Sequence, residues 1–221
     1  VEHVTTLPAK PAGSDPVNRV LPPNPKAAAI VVLGFTALLY LIEFLDSVIP
    51  ADLDKFGVEP RELSGLDGVL FAPLLHAGWD HLFSNTIPVL VFGFLAMSAG
   101  IGQWIAVTGT IWILSGLGVW LTGAWGTVTV GASGVAFGWL AFLLVRGMFN
   151  RSFKQLLVAA ALFLYWGSTL LGVLPGDPGI SWEGHLFGAV AGILAAWLVS
   201  VANKASATKA RKRADTGGVV T

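Results

Sequence analysis

Four polar side chains stand where an apolar chain has little reason to put them. Ser133 sits between glycines in Gly131-Ala132-Ser133-Gly134, at the start of an apolar run that reaches Val145. His81 and Asn85 are four residues apart, which places them on one face of a helix. His185 opens a further apolar run and shares a helical face with Gly188 and Gly192. A hydroxyl becomes a useful nucleophile when an imidazole lies within hydrogen-bond reach. An imidazole and an amide one helical turn apart can donate to the oxyanion that such a nucleophile creates. The four groups therefore make one candidate constellation for acyl transfer, provided the chain brings them together.

The elements that must do so are membrane spans. The chain of 221 residues is 54% hydrophobic and 12% charged, with a mean hydropathy of +0.73, outside the range of an ordinary soluble domain. Six apolar runs approach the roughly 20 helical residues needed to cross a hydrocarbon core. They are Ala27–Leu45, Leu82–Met97, Ile101–Leu121, Val128–Val145, Leu156–Leu174 and Leu186–Val201. The runs are continuous and do not alternate with polar residues, so they predict helices and not a barrel. The fold class read from this pattern is an all-α, polytopic bundle of six transmembrane helices.

Orientation follows from the basic residues. Lys10, Arg19 and Lys26 precede the first span, Arg146, Arg151 and Lys154 lie between the fourth and fifth, and Lys204, Lys209, Arg211, Lys212 and Arg213 follow the sixth. With six spans, these eleven of the thirteen Lys and Arg fall on one side. The positive-inside rule then predicts a multi-pass plasma-membrane protein with both termini cytoplasmic. Residues 1–26, rich in Pro, Ala and Ser/Thr and without the apolar core of a secretory signal, are expected to be a disordered cytoplasmic tail. Residues 27–203 form the membrane domain and 204–221 a basic cytoplasmic tail. Pro50–Asp80 faces outward, and its apolar half, Gly68–Trp79, is expected to lie at the membrane interface with Trp79 as an anchor.

Depth brings the polar groups together. Taking Arg146 as the inner boundary, Ser133 lies thirteen residues above it, roughly 20 Å at 1.5 Å per residue and about 10 Å below the outer edge. His185 lies nineteen residues before Lys204, and His81 and Asn85 open a span that starts outside. All four groups fall in the outer third of the bilayer. Intramembrane polar residues normally face the protein interior or a water-filled cavity. The spacings Gly134/Gly138 and Gly184/Gly188/Gly192 predict close helix contact, so the fourth and sixth spans can carry Ser133 to His185.

The segments His76-Ala-Gly-Trp-Asp-His81-Leu-Phe-Ser-Asn85, Gly131-Ala-Ser133-Gly134 and Gly184-His185-Leu-Phe-Gly188-Ala-Val-Ala-Gly192 together resemble the rhomboid intramembrane serine proteases. The resemblance runs from about Gly57 to Ala195 and includes Pro60-Arg61 and Gly65-Leu66. It implies a compact six-span bundle of rhomboid type, with Ser133 as nucleophile, His185 as general base and no acidic third member. It implies His81 and Asn85 as oxyanion donors, helped by the backbone N–H groups of Ala132 and Ser133. It makes His76 structural, Gly188 and Gly192 packing glycines, and puts Gly131 and Gly134 beside the nucleophile. Phe137 stands where the family often has a Tyr packed on the catalytic histidine. The substrates so implied are single-span membrane proteins cut near the outer face, with the site opening outward.

Zero cysteines exclude thiolate catalysis and cysteine-ligated zinc, and neither a metal nor a cofactor is expected. A net charge of zero argues against nucleic acid as a partner. The position two residues after Ser133 is Val135, so this is not the G-x-S-x-G elbow of soluble hydrolases. The main alternative is a catalytically silent rhomboid-like binder of transmembrane helices, against which the presence of both Ser133 and His185 argues. A small transporter or channel lined by His81, Asn85 and His185 is the other, but no polar residues continue the path through the inner half of these spans.

The topology is directly testable because the chain has no native cysteine. Glu62→Cys is expected to react with an impermeant maleimide from outside intact cells, and Arg151→Cys only after lysis; the reverse pattern would put the site on the cytoplasmic side.

Overall fold

A computed structural model describes residues 16–50, 52–176 and 179–217. It contains helices α1 (Pro25–Val48), α2 (Gly68–Phe71), α3 (Trp79–Ala96), α4 (Ile101–Thr122), α5 (Ser133–Asn150), α6 (Phe153–Trp166) and α7 (Trp182–Gly217). With the 3-10 turns that extend α3 and α6, six of these are long and apolar enough to cross a membrane: Pro25–Val48, Trp79–Ala99, Ile101–Thr122, Ser133–Asn150, Phe153–Val173 and Trp182–Arg213. The chain is a multi-pass membrane protein built as an all-helical bundle. Large apolar side chains cover its outside; Leu164 on α6 is 86% exposed, which only a lipid-facing surface tolerates on this scale.

The helix ends follow ordinary capping rules. Asn24 caps α1, its side chain accepting from Ala27 N at 3.1 Å with Pro25 at the first position. Gly100, at φ +109°, turns the chain tightly between α3 and α4. The Ser181 hydroxyl accepts from Gly184 N at 3.2 Å and caps α7.

The fourth span is displaced from its expected place. Val128–Val130 is extended, and Thr129 exchanges backbone hydrogen bonds with Val58 at 2.9 and 3.0 Å. Apolar but β-branched residues here favour strand pairing over helix, and the helix starts only at Ser133. At its other end α5 runs on to Asn150. Arg146 is therefore not an exposed inner boundary: it is buried inside the bundle, donating to Ser98 Oγ and to the Arg19 carbonyl.

Those contacts also divide the expected tail. Residues 1–15 lie outside the described residues, but 16–24 are tied down: Gln155 Nε2 donates to the Val17 and Arg19 carbonyls at 2.8 and 3.1 Å. A Pro- and Asn-containing segment without apolar periodicity gave no sign of partners so distant in sequence. Beyond the sixth span, α7 continues unbroken through the basic residues to Gly217, because Ala, Lys and Arg are strong helix formers. Asp177 and Pro178 of the expected Pro/Gly turn also lie outside the described residues.

The loop before α3 is not loose. Leu63–Leu74 forms a short apolar helical stretch, with Val69 packed where a Cβ at Gly116 of α4 would stand and Leu70 and Phe71 outward. Arg61 fastens it to the end of α4, Nη1 donating to the Gly123 carbonyl at 2.9 Å, while Trp120 Nε1 donates to the Glu62 carbonyl at 2.8 Å.

At the centre, α7 lies against α5 and α4. A Cβ on Gly188 would fall on the Gly134 carbonyl, and one on Gly192 on the Gly138 carbonyl. The two backbones touch without side chains between them, as the glycine spacing predicts. Ser115 of α4 adds a buried hydrogen bond to the Gly184 carbonyl at 2.9 Å. Leu82, Phe92, Ile111, Trp139 and Leu140 fill the surrounding core.

This packing predicts opposite outcomes for two glycines. Gly192→Val should destabilise the fold by at least about 1–3 kcal/mol through overpacking. Gly109→Ala, whose added Cβ meets nothing within 4 Å, should be neutral or stabilising by up to about 1 kcal/mol. Thermal or steric-trap unfolding of the two variants checks the contrast.

Candidate active site

Ser133 is the first residue of α5, His185 the fourth of α7 and His81 the third of α3, so three helix N-termini converge. Ser133 Oγ lies 2.9 Å from His185 Nε2. The other ring nitrogen, Nδ1, lies 3.0 Å from the Gly172 carbonyl. A carbonyl can only accept, so Nδ1 carries the proton, and in the neutral ring Nε2 is left as an acceptor for the serine hydroxyl. The tautomer a general base needs is thus set by a backbone oxygen.

Two further contacts hold the imidazole. The Phe137 ring stacks on it with centroids 3.9 Å apart and planes 5° from parallel. A Cβ at Gly172 would come within 3.1 Å of both His185 Nδ1 and Phe137 Cζ. Gly172 belongs to the 3-10 turn that ends the fifth span. Sequence reasoning passed over it, since its contribution is a carbonyl and its only signal is a glycine inside an apolar run.

On the far side of Ser133, His81 and Asn85 line the same cavity of about 570 Å³ as Ser133 and His185. Asn85 Nδ2 spends one donor on the His81 carbonyl at 2.9 Å, which leaves the second N–H of the amide. Gly131, at φ +121°, holds a conformation L-residues rarely adopt, and a Cβ there would stand 2.6 Å from the His81 ring. Glycine is required twice over at this position.

The backbone donors separate. Ser133 N–H, at the first helical position of α5, has no intrahelical partner. Ala132 N–H, expected to share its role, is directed to His76 Nε2 at 3.4 Å, and Ala132 is fully buried. His76 is itself only 2% exposed and meets the His81 ring edge-on at 5.2 Å. Burial, with a smaller contribution from His81, lowers its pKa to about 4, while the Leu74 backbone offsets part of the fall. His76 is thus a neutral acceptor that pins the backbone just before Ser133. Gly134, Gly188 and Gly192 lie in the α5–α7 contact already described. Among the described residues, no group of three or more His, Cys, Asp or Glu could hold a metal.

Comparison with known proteins agrees with this architecture. A family model described as the Rhomboid domain matches residues 64–202. An uncharacterized protein of Mycobacterium tuberculosis is 48% identical over 191 residues, covering 83% of this chain and 79% of the relative. An uncharacterized protein of Mycobacterium leprae is 43% identical over 222 residues, covering 96% of this chain and 86% of the relative.

His76 gives a pH dependence of known sign. Its folded pKa lies below the ordinary 6.5, so its contribution to stability is complete above that value and is lost as pH falls toward about 4. The melting temperature should decline over this window, and His76→Gln, which keeps a neutral acceptor, should flatten the decline. An unchanged slope in the variant would remove His76 from the account.

Proposed function

The chain belongs to the rhomboid family, and on that premise we propose that it is an intramembrane serine endopeptidase acting through a Ser133–His185 dyad. The observation that carries this reading is the 2.9 Å contact between Ser133 Oγ and His185 Nε2, with Nδ1 held by the Gly172 carbonyl. Ser133 Oγ attacks the scissile carbonyl carbon as its proton passes to Nε2. The imidazolium then has Nδ1–H donating to Gly172 and Nε2–H facing the leaving group. The oxyanion of the tetrahedral intermediate lies among Ser133 N–H, Asn85 Nδ2 and the His81 ring. Its collapse transfers the Nε2 proton to the departing amine and leaves an acyl-serine. Water, deprotonated by the same nitrogen, hydrolyses the ester and restores the hydroxyl.

Roles for the supporting groups follow. Phe137 keeps the ring face that positions His185, and no hydroxyl is required for stacking. Ala132 N–H is engaged by His76 and is not counted among the oxyanion donors. The substrates are single-span membrane proteins cut near the outer face, and the enzyme sits in the plasma membrane with both termini cytoplasmic. A silent helix binder would have no use for an aligned nucleophile and base, so that alternative is set aside.

In a purified assay with a single-span substrate, Ser133→Ala and His185→Ala should fall to background. Asn85→Ala should lower kcat by about 10²–10³ with a smaller change in KM, because its amide acts on charge that develops only in the transition state. Full cleavage by Ser133→Ala would overturn the nucleophile; a change confined to KM in Asn85→Ala would make that residue a substrate contact.

A further inference from the structure

At the end of the bundle opposite Ser133, about 20 Å along α5 at 1.5 Å per residue, Arg146 is 5% exposed. Its guanidinium donates to Ser98 Oγ and the Arg19 carbonyl and lies over the Phe142 ring at 5.6 Å. All three partners are uncharged, and no carboxylate among the described residues pairs with it. A guanidinium has five N–H donors, so two such bonds leave three.

Beside it is a small cavity of about 110 Å³, room for a few waters or one tetrahedral oxyanion. Its walls include Arg146, Gln103, Asn150 and Asn203. Asn150 is engaged with Val17 and Gln155, but the side chains of Gln103 and Asn203, both half-buried, make no hydrogen bond among the described residues. Two free amides and a buried cation without a counter-charge thus face one space. Amides alone would be satisfied by water. The uncompensated charge is what asks for an anion, since a buried charge is stable when paired and hydrogen-bonded. The fork geometry of arginine suits a phosphate, and Asn203 is followed by the exposed Lys204.

We infer that this cavity is a binding site for a single phosphate group, held by Arg146 with Gln103 and Asn203, and separate from the proposed catalytic centre. The same chemistry is presented by a phospholipid headgroup or by free phosphate, and two arms separate these sources. Full-length protein is reconstituted in phosphatidylcholine nanodiscs with or without phosphatidylglycerol, and retained lipid is read by native mass spectrometry. In parallel, detergent-purified protein is titrated with inorganic phosphate, and line broadening is followed by phosphorus NMR.

The double variant Gln103→Leu/Asn203→Leu is the comparison. It removes the two free amides and leaves the bonds from Arg146 to Ser98 and Arg19, so it should fold. Retention of one phosphatidylglycerol by the wild type, reduced about tenfold or more in the variant, assigns the site to lipid. Phosphate broadening reduced by the same factor, without retained lipid, assigns it to the free anion. Equal behaviour of wild type and variant in both arms would overturn the site.

Discussion

The structure depends on one contact between two backbones. The carbonyls of Gly134 and Gly138 on α5 face Gly188 and Gly192 on α7 so closely that no Cβ fits between them. In lipid there is no hydrophobic force to drive helices together, so van der Waals contact of this kind and a few hydrogen bonds must do so. Here the glycines flank the chemistry. Gly134 follows Ser133, and Gly188 is three residues after His185. The 2.9 Å separation between Ser133 Oγ and His185 Nε2 is therefore set by the distance at which two polypeptide backbones touch.

The His185 imidazole is then oriented without an acid. In a triad a buried carboxylate fixes the imidazole tautomer; here the Gly172 carbonyl accepts from Nδ1, and the stacked Phe137 ring fixes the plane. A neutral acceptor costs less to bury in a membrane than a carboxylate. The same economy appears at His76, which supports the Ala132 backbone as an uncharged acceptor. His185 and the backbone before Ser133 are thus held by uncharged partners, which suits a cavity built among transmembrane helices.

Much of this was legible in the residues. Six continuous apolar runs with the basic residues on one side specified the span count, and the glycine spacings on the fourth and sixth spans specified which helices meet. The depth estimate relied on Arg146 as the inner boundary, but that residue is buried in the bundle; the four polar groups still line one cavity, because each sits in the first turns of its helix. Hydropathy alone misplaced the start of α5, since Val128–Val130 continues the apolar run but is extended, with Thr129 paired to Val58 in an isolated β-bridge. Gly172 was invisible because an acceptor supplied by a backbone carbonyl has no residue type. The hold on residues 16–24 was equally hidden: Arg146 and Gln155 reach backbone oxygens, and any sequence supplies those.

The central claim is that the α5–α7 glycine contact sets the reach between Ser133 and His185. The rate at which a fluorophosphonate labels Ser133 in folded Gly188→Val protein tests it most directly. Overpacking is relieved by separating the helices, and a displacement near 1 Å costs about 10²-fold in rate. Labelling slowed by about that factor, with helix content and membrane insertion retained, is the predicted result. Labelling at the wild-type rate in a protein of unchanged stability would contradict the account.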